Sequence, residues 1–207
     1  MTTAYLAARG FEAELEAELT DISAQYGRLY VSEAPAVNSV WAQNIWHNPV
    51  TLHIDSIKQA AAQLKALQRN WALYDFQLHR RAKLIEEQLP HVSAKPITFP
   101  SPLPTAPLGS WTLLDANTIL ASASCSSPYR NGEVLFVEDK ETPPNRAYLK
   151  LWEFFTITGI RPDPAALCID LGACPGGWSW VLANFGCKVI AVDKSPLDPC
   201  LALCSAG

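Results

Sequence analysis

The feature that most constrains this chain is a pair of short apolar runs joined by a glycine-rich turn and a segment of helical length, between residues 166 and 193. Ala166-Leu167-Cys168-Ile169-Asp170-Leu171 is the kind of continuous apolar run that suits a buried parallel strand. It leads straight into Gly172-Ala173-Cys174-Pro175-Gly176-Gly177-Trp178. A helix is expected from there through Phe185, stopped by Gly186, since glycine is favoured just past a helix end. Lys188-Val189-Ile190-Ala191-Val192-Asp193 then reads as a second apolar strand that ends in a carboxylate. Strand, turn, helix and strand make one βαβ unit. In open α/β sheets ligands sit at the carboxyl ends of the strands, where the turn and Asp193 both fall.

The chemistry follows from that placement. Glycines at 172, 176 and 177 let backbone approach a bulky ligand without a Cβ clash. An acid closing the second strand, about 20 residues on, can accept hydrogen bonds from the ribose hydroxyls of a nucleoside. The turn is not Gly-x-Gly-x-x-Gly, so the pyrophosphate pattern of a nicotinamide dinucleotide site is missing. Just upstream, Asn145 can cap a helix running from Arg146 to Phe155. Leu149, Trp152 and Phe155 would share its inner face, with Lys150 pointing elsewhere.

The rest of the chain is plainer. Phe11, Leu15, Leu19 and Ile22 recur at helical spacing, and Glu12, Glu14, Glu16 and Glu18 read as the solvated side of that helix. A strand is expected at Arg28–Val31, and a second helix from Ser56 to about Asn70, where Ser56 and Gln59 have capping-box spacing. Ile57, Ala61 and Leu64 would line its inner edge. Trp71–His79 reads as a strand and Arg80–Leu89 as a short helix closed by Pro90. Residues 1–94 thus form an α+β region. Trp71, Tyr74 and Phe76 beside Arg80, Arg81 and Lys83 are either an RNA-stacking surface or core rings next to a wet helix face; the frequency of buried aromatics favours the second. Five prolines in residues 95–109 mark a linker. Residues 110–207 then make the front part of a Rossmann-like domain, with short strands expected at Trp111–Leu114, Thr118–Ala123 and Val134–Val137.

Composition sets limits. Hydrophobic residues at 49% and charged residues at 17% describe a globular chain, and a net charge of −4 gives no support for a strongly basic surface. No stretch approaches the roughly 20 apolar residues of a membrane span, and the first residues lack a secretory pattern. The cysteines at 125, 168, 174, 187, 200 and 204 form no Cys-x-x-Cys pair and read as reduced cytoplasmic thiols. The histidines at 47, 53, 79 and 91 show no ligand spacing, so no metal is assigned.

Asp170-Leu171-Gly172-Ala173-Cys174-Pro175-Gly176-Gly177-Trp178 resembles the cofactor motif of the FtsJ/RrmJ-like RNA 2′-O-ribose methyltransferases. Its Cys-Pro-Gly-Gly form is most similar to the RlmM-like branch, which methylates large-subunit ribosomal RNA. Arg146-Ala147-Tyr148-Leu149-Lys150-Leu151 is similar to the family's stretch around its first catalytic lysine, and Ser126-Ser127-Pro128 to its approach to that helix. The resemblance implies that Gly172, Cys174, Pro175, Gly176, Gly177 and Trp178 line S-adenosylmethionine, that Asp193 holds its ribose, and that Lys150 is catalytic. It implies ribosomal RNA as partner and, loosely, a THUMP-like RNA-binding role for the N-terminal region. Ala147 stands where RlmM-like proteins have a cofactor-contacting serine. A lysine placed like Lys150 can relay the proton of the ribose hydroxyl or stabilise the developing oxyanion; without the motif it reads as an exposed helix lysine.

The family's other catalytic Asp, Lys and Glu lie beyond the ribose-binding acid. Only fourteen residues follow Asp193, with Lys194 the one lysine and no glutamate among them. The expectation is therefore a truncated enzyme, inactive alone. Two further classes stay open: a non-catalytic RNA- or partner-binding protein, and, against the glycine pattern, a nicotinamide-dependent enzyme.

Overall fold

A computed structural model describes residues 2–199. Cys200 and Cys204, which enter the reading above, lie outside the described residues. The structure is mixed α/β and divides into two compact units. The first takes the described residues to Ala94 together with Pro104–Val134; the second takes Lys95–Leu103 and the described residues from Leu135 onward.

In the first unit, β1 (Thr3–Ala7) lies at the centre of a five-stranded sheet with β2 (Ile22–Tyr26), β3 (Leu29–Ser32), β4 (Ala42–His47) and β9 (Ser124–Cys125), in the order β2-β3-β1-β4-β9. All five β1 residues are buried because side chains alternate across a pleat with apolar cover on both sides. Ala4 and Leu6 pack with Leu29, Val31, Trp46 and Leu120. Tyr5 and Ala7 pack with Tyr30, Ile45, and Leu15 and Leu19 from α1 (Glu12–Glu18) and its end. The α1 helix stops earlier than its spacing predicts. Leu19 turns extended (ψ 152°) and Asp21 takes a positive φ of 51°, so Ile22 starts an edge strand instead of a last helical turn.

A four-stranded sheet completes this unit, in the order β5 (Val50–His53), β8 (Thr118–Ser122), β7 (Gly109–Asp115), β6 (Trp71–Leu73). Helices α2 (Ile57–Leu67) and α3 (His79–Glu86) supply Ala60, Ala61, Leu64, Ala82 and Ile85 to a core that includes Trp71, Trp111 and Ile119. The expected capping pair is present: Ser56 Oγ accepts from the Gln59 amide at 3.1 Å, and Gln59 Oε1 accepts from the Asp55 amide at 2.6 Å. The strand expected over Trp71–His79 ends at Leu73, since Leu78 adopts a left-handed φ of 54° and His79 already opens α3. Trp71 and Tyr74 are core rings, while Arg80 and Lys83 are exposed.

Residues 110–134, which the sequence reading assigns to the C-terminal half, sit in this first unit. The reason is pairing: β7 joins β6 and β8, and β8 joins β5, so the 109–122 hairpin completes an N-terminal sheet.

The second unit consists of α4 (Tyr148–Thr158), β10 (Leu167–Leu171), α5 (Gly177–Asn184) and β11 (Lys188–Val192). Tyr148, Leu151, Phe155 and Val181 form its core, with Phe99, Trp152, Trp180 and Phe185 packed on it. Burying side chains of this size contributes roughly 1.5–3 kcal/mol each. Phe99 comes from the proline-rich segment and stacks on Trp152 with ring centroids 4.7 Å apart, so residues 95–103 are part of this core. The expected strand at Val134–Val137 is reduced to a single bridge, Ile97 to Phe136.

Strands β10 and β11 run parallel, with Leu167 opposite Lys188 and Leu171 opposite Val192. Burial on both faces, expected for β10, is not found. Leu167, Ile169 and Leu171 are 66%, 63% and 77% exposed, and Ile190 and Val192 on the same face are 48% and 49% exposed. Only the other face, with Asp170, is covered by α5.

Candidate functional site

The site grows out of the carboxyl end of β10. There the chain leaves the strand at Gly172, whose φ of 76° begins the turn and whose amide bonds the Val192 carbonyl at 2.8 Å. Gly176, at φ 122°, caps α5, a backbone conformation that strains any residue with a Cβ. Its carbonyl accepts the Trp180 amide at 2.8 Å as the helix begins.

Two carboxylates brace this turn. Asp170 is buried and accepts from Ser179 Oγ at 2.7 Å, tying the strand end to the first turn of α5. Asp193 accepts the Cys174 amide on Oδ2 at 2.9 Å and the Ser195 amide on Oδ1 at 2.8 Å. The Ser195 amide first, and then the Cys174 amide, hold its carboxyl below the usual carboxylate range. The segment after Asp193 folds back over the turn: the Asp198 amide bonds the Pro175 carbonyl at 3.0 Å, and Cys174 Sγ lies 3.3 Å from the Pro196 carbonyl.

A cleft of about 220 Å³ opens beside the turn, lined by Asn145, Ala147, Lys150, Asp170, Leu171, Gly172, Ala173, Cys174, Gly177 and Trp178. Of the residues singled out in sequence, the structure therefore brings Lys150, Gly172, Cys174, Gly177 and Trp178 to one place. Pro175, Gly176 and Asp193 do not line the cleft, and Asp193 joins the turn through the Cys174 amide. The cleft is smaller than the roughly 300–1,000 Å³ of typical small-molecule sites. A larger cavity nearby, about 570 Å³, is lined by residues 138–140 and 143–146 with Tyr148; it shares Asn145 with the cleft but holds none of the glycine turn.

Sequence reasoning gives Asp170 a place in the apolar run and in the motif but no role of its own, though one acid in such a run is itself a signal that a partner awaits it. That partner, Ser179, sits in the first turn of the next helix. Lys150 is exposed on α4, one turn after Ala147. Among the described residues no group of three or more His, Cys, Asp or Glu could hold a metal ion, and no helix is long and apolar enough to cross a membrane.

Comparison with known proteins agrees with the resemblance read from the motif. Residues 143–202 match the model of the FtsJ-like methyltransferase family. The ribosomal RNA large subunit methyltransferase M of Halorhodospira halophila is 45% identical over 62 residues, which cover 28% of this chain and 18% of that protein. Its counterpart from Methylococcus capsulatus is 44% identical over 62 residues, with the same coverage. That from Shewanella frigidimarina is 42% identical over 62 residues, 27% of this chain and 17% of the relative. The chain thus spans less than a fifth of the length of the curated relatives it matches.

Proposed function

We propose that this chain, through its FtsJ-like stretch, carries the cofactor-binding part of an S-adenosylmethionine-dependent enzyme that methylates a ribose 2′-hydroxyl of ribosomal RNA. The observation that carries the reading is the meeting of Lys150 and the glycine turn in one cleft at the carboxyl end of β10, inside the matched residues.

The residues fit the cofactor. A Cβ at Gly172 would meet nothing within 4 Å, so the turn is open on that side. Each Asp193 oxygen accepts one of the two amides described, which leaves lone pairs for a ribose hydroxyl. Gly172, Cys174, Pro175, Gly176, Gly177 and Trp178 would form the holding turn. When bound, S-adenosylmethionine supplies a methyl group that is already electrophilic. The protein's part is to hold the accepting oxygen in line and to favour loss of its proton. Lys150 is exposed, which suits a positive charge set beside a developing oxyanion; the burial that would suit a lysine base is absent at this position. A cytoplasmic location and a THUMP-like, RNA-binding role for the first unit belong to the same proposal.

A second reading, a non-catalytic protein that binds RNA or a protein partner, draws support from the open apolar face of β10 and β11. Calorimetric titration with S-adenosylmethionine, with NAD as control, separates the readings. We expect S-adenosylmethionine alone to bind. Asp193→Ala should weaken it by about tenfold or more, the worth of a hydrogen bond to a charged group. Binding of neither compound would refute the cofactor reading.

A further inference from the structure

Two contacts press the start of α4 against the glycine turn. Trp178 Nε1 donates to the Ala147 carbonyl at 3.0 Å. On the side of Gly177 where a Cβ would stand, Asn145 Oδ1 fills the space and the Tyr148 amide nitrogen lies 3.1 Å away. Asn145 is fixed in turn, since its Oδ1 accepts the Ala147 amide at 3.0 Å. Ala147 is therefore held through both its amide and its carbonyl, three residues before Lys150.

These contacts change the meaning of two positions. The space that a missing side chain leaves at Gly177 is taken by the protein itself. Trp178 is 44% exposed, and an exposed ring after a ligand turn invites a stacking role; here its polar edge is committed to α4. A lysine carries its charge on a flexible four-carbon stem, so where that charge can reach is decided by the backbone beneath it.

We infer that Gly177 and Trp178 are positioning residues, which clasp the first turn of α4, and with it Lys150, to the turn that holds the cofactor. The roles of Lys150 and of the turn rest on the function proposed above. The clasp itself rests only on the contacts just described. Through it, the helix bearing the lysine and the cofactor turn act as one element, which matters because a misplacement of about 1 Å can cost on the order of a hundredfold in rate.

The test uses the full chain labelled with nitrogen-15. Seven tryptophans give seven indole N–H signals, and the one lost in Trp178→Phe is that of Trp178. In the free wild-type chain this indole proton should exchange at least about fivefold more slowly than an unbonded one, as expected for one net hydrogen bond. The Lys150 amide, which bonds the same Ala147 carbonyl at 3.1 Å, should exchange faster in Trp178→Phe, again by about fivefold. An unprotected indole in the wild type, or an unchanged Lys150 amide in the variant, would overturn the clasp. If Trp178→Phe does not fold, the indole can be assigned by selective labelling and its protection still decides. S-adenosylmethionine should also shift the Lys150 amide signal in the wild type, and by no more than about half as much in the variant, because the clasp carries the coupling. An equal shift in both would sink the positioning role. If the ligand shifts nothing in the wild type, the proposed function fails while the exchange data still judge the clasp.

Discussion

Strand β1 has apolar clusters against both of its faces, whereas β10 and β11 have α5 on one face and open solvent on the other. The sequences of the two regions do not announce this difference. Thr3–Ala7 and Leu167–Leu171 are strands of equal length, each with a single residue that is not apolar, Thr3 in one and Asp170 in the other. Burial is thus a property of what else packs nearby, and an apolar run states only that cover would be favourable.

The comparison can be broken most forcefully in the first unit. Leu64 is fully buried among Trp71, Ile85 and Trp111. Leu64→Ala should cost about 2–5 kcal/mol in urea unfolding, and a smaller loss would mean that this core is looser than its burial indicates. At the turn of the second unit the handle is pH. Because the folded-state carboxyl of Asp193 titrates below its ordinary value, its stabilisation is complete above about pH 4 and drains away as pH falls through the folded value. Protection of the Cys174 and Ser195 amides should therefore fall on acidification, and Asp193→Asn should remove that dependence; equal pH profiles would show that the carboxylate does not brace the turn. The smallest effect belongs to the open face. Ile169→Ser, at a site 63% exposed, should change stability by no more than about 0.5 kcal/mol. A loss several times larger would show that this face is covered in solution and that the contrast between the units is not intrinsic to the chain.

Local signals were the legible ones. Ser56 and Gln59 announced the start of α2, and Gly172, Gly186 and Asp193 marked the edges of β10, α5 and β11 to within a residue or two. What stayed hidden depends on partners distant in sequence. Strand β1 is specified by β3 and β4, and β7, although legible as a strand, takes β6 as its partner from across the proline-rich stretch. Glu18, read as solvated, instead accepts from Ser39 Oγ and from the Val40 and Trp41 amides, a role visible only once the chain has returned to it. At the site the same divide holds. The glycine turn was legible because its chemistry is contiguous; the bond from Trp178 to Ala147, 31 residues apart, was not.

The division of the chain has a consequence for how such a protein can be cut or inherited. The backbone passes from one unit to the other after Ala94, after Leu103 and again after Val134, so the two are sewn together with three stitches. No single break in the chain, or in the gene, yields two intact halves. A piece beginning at Leu135 would carry the whole matched stretch yet leave behind Phe99, and Trp152 would lose the ring stacked on it. The methyltransferase-like portion is therefore not a cassette that can be lifted out clean: it takes its cover from a stretch of sequence some fifty residues upstream.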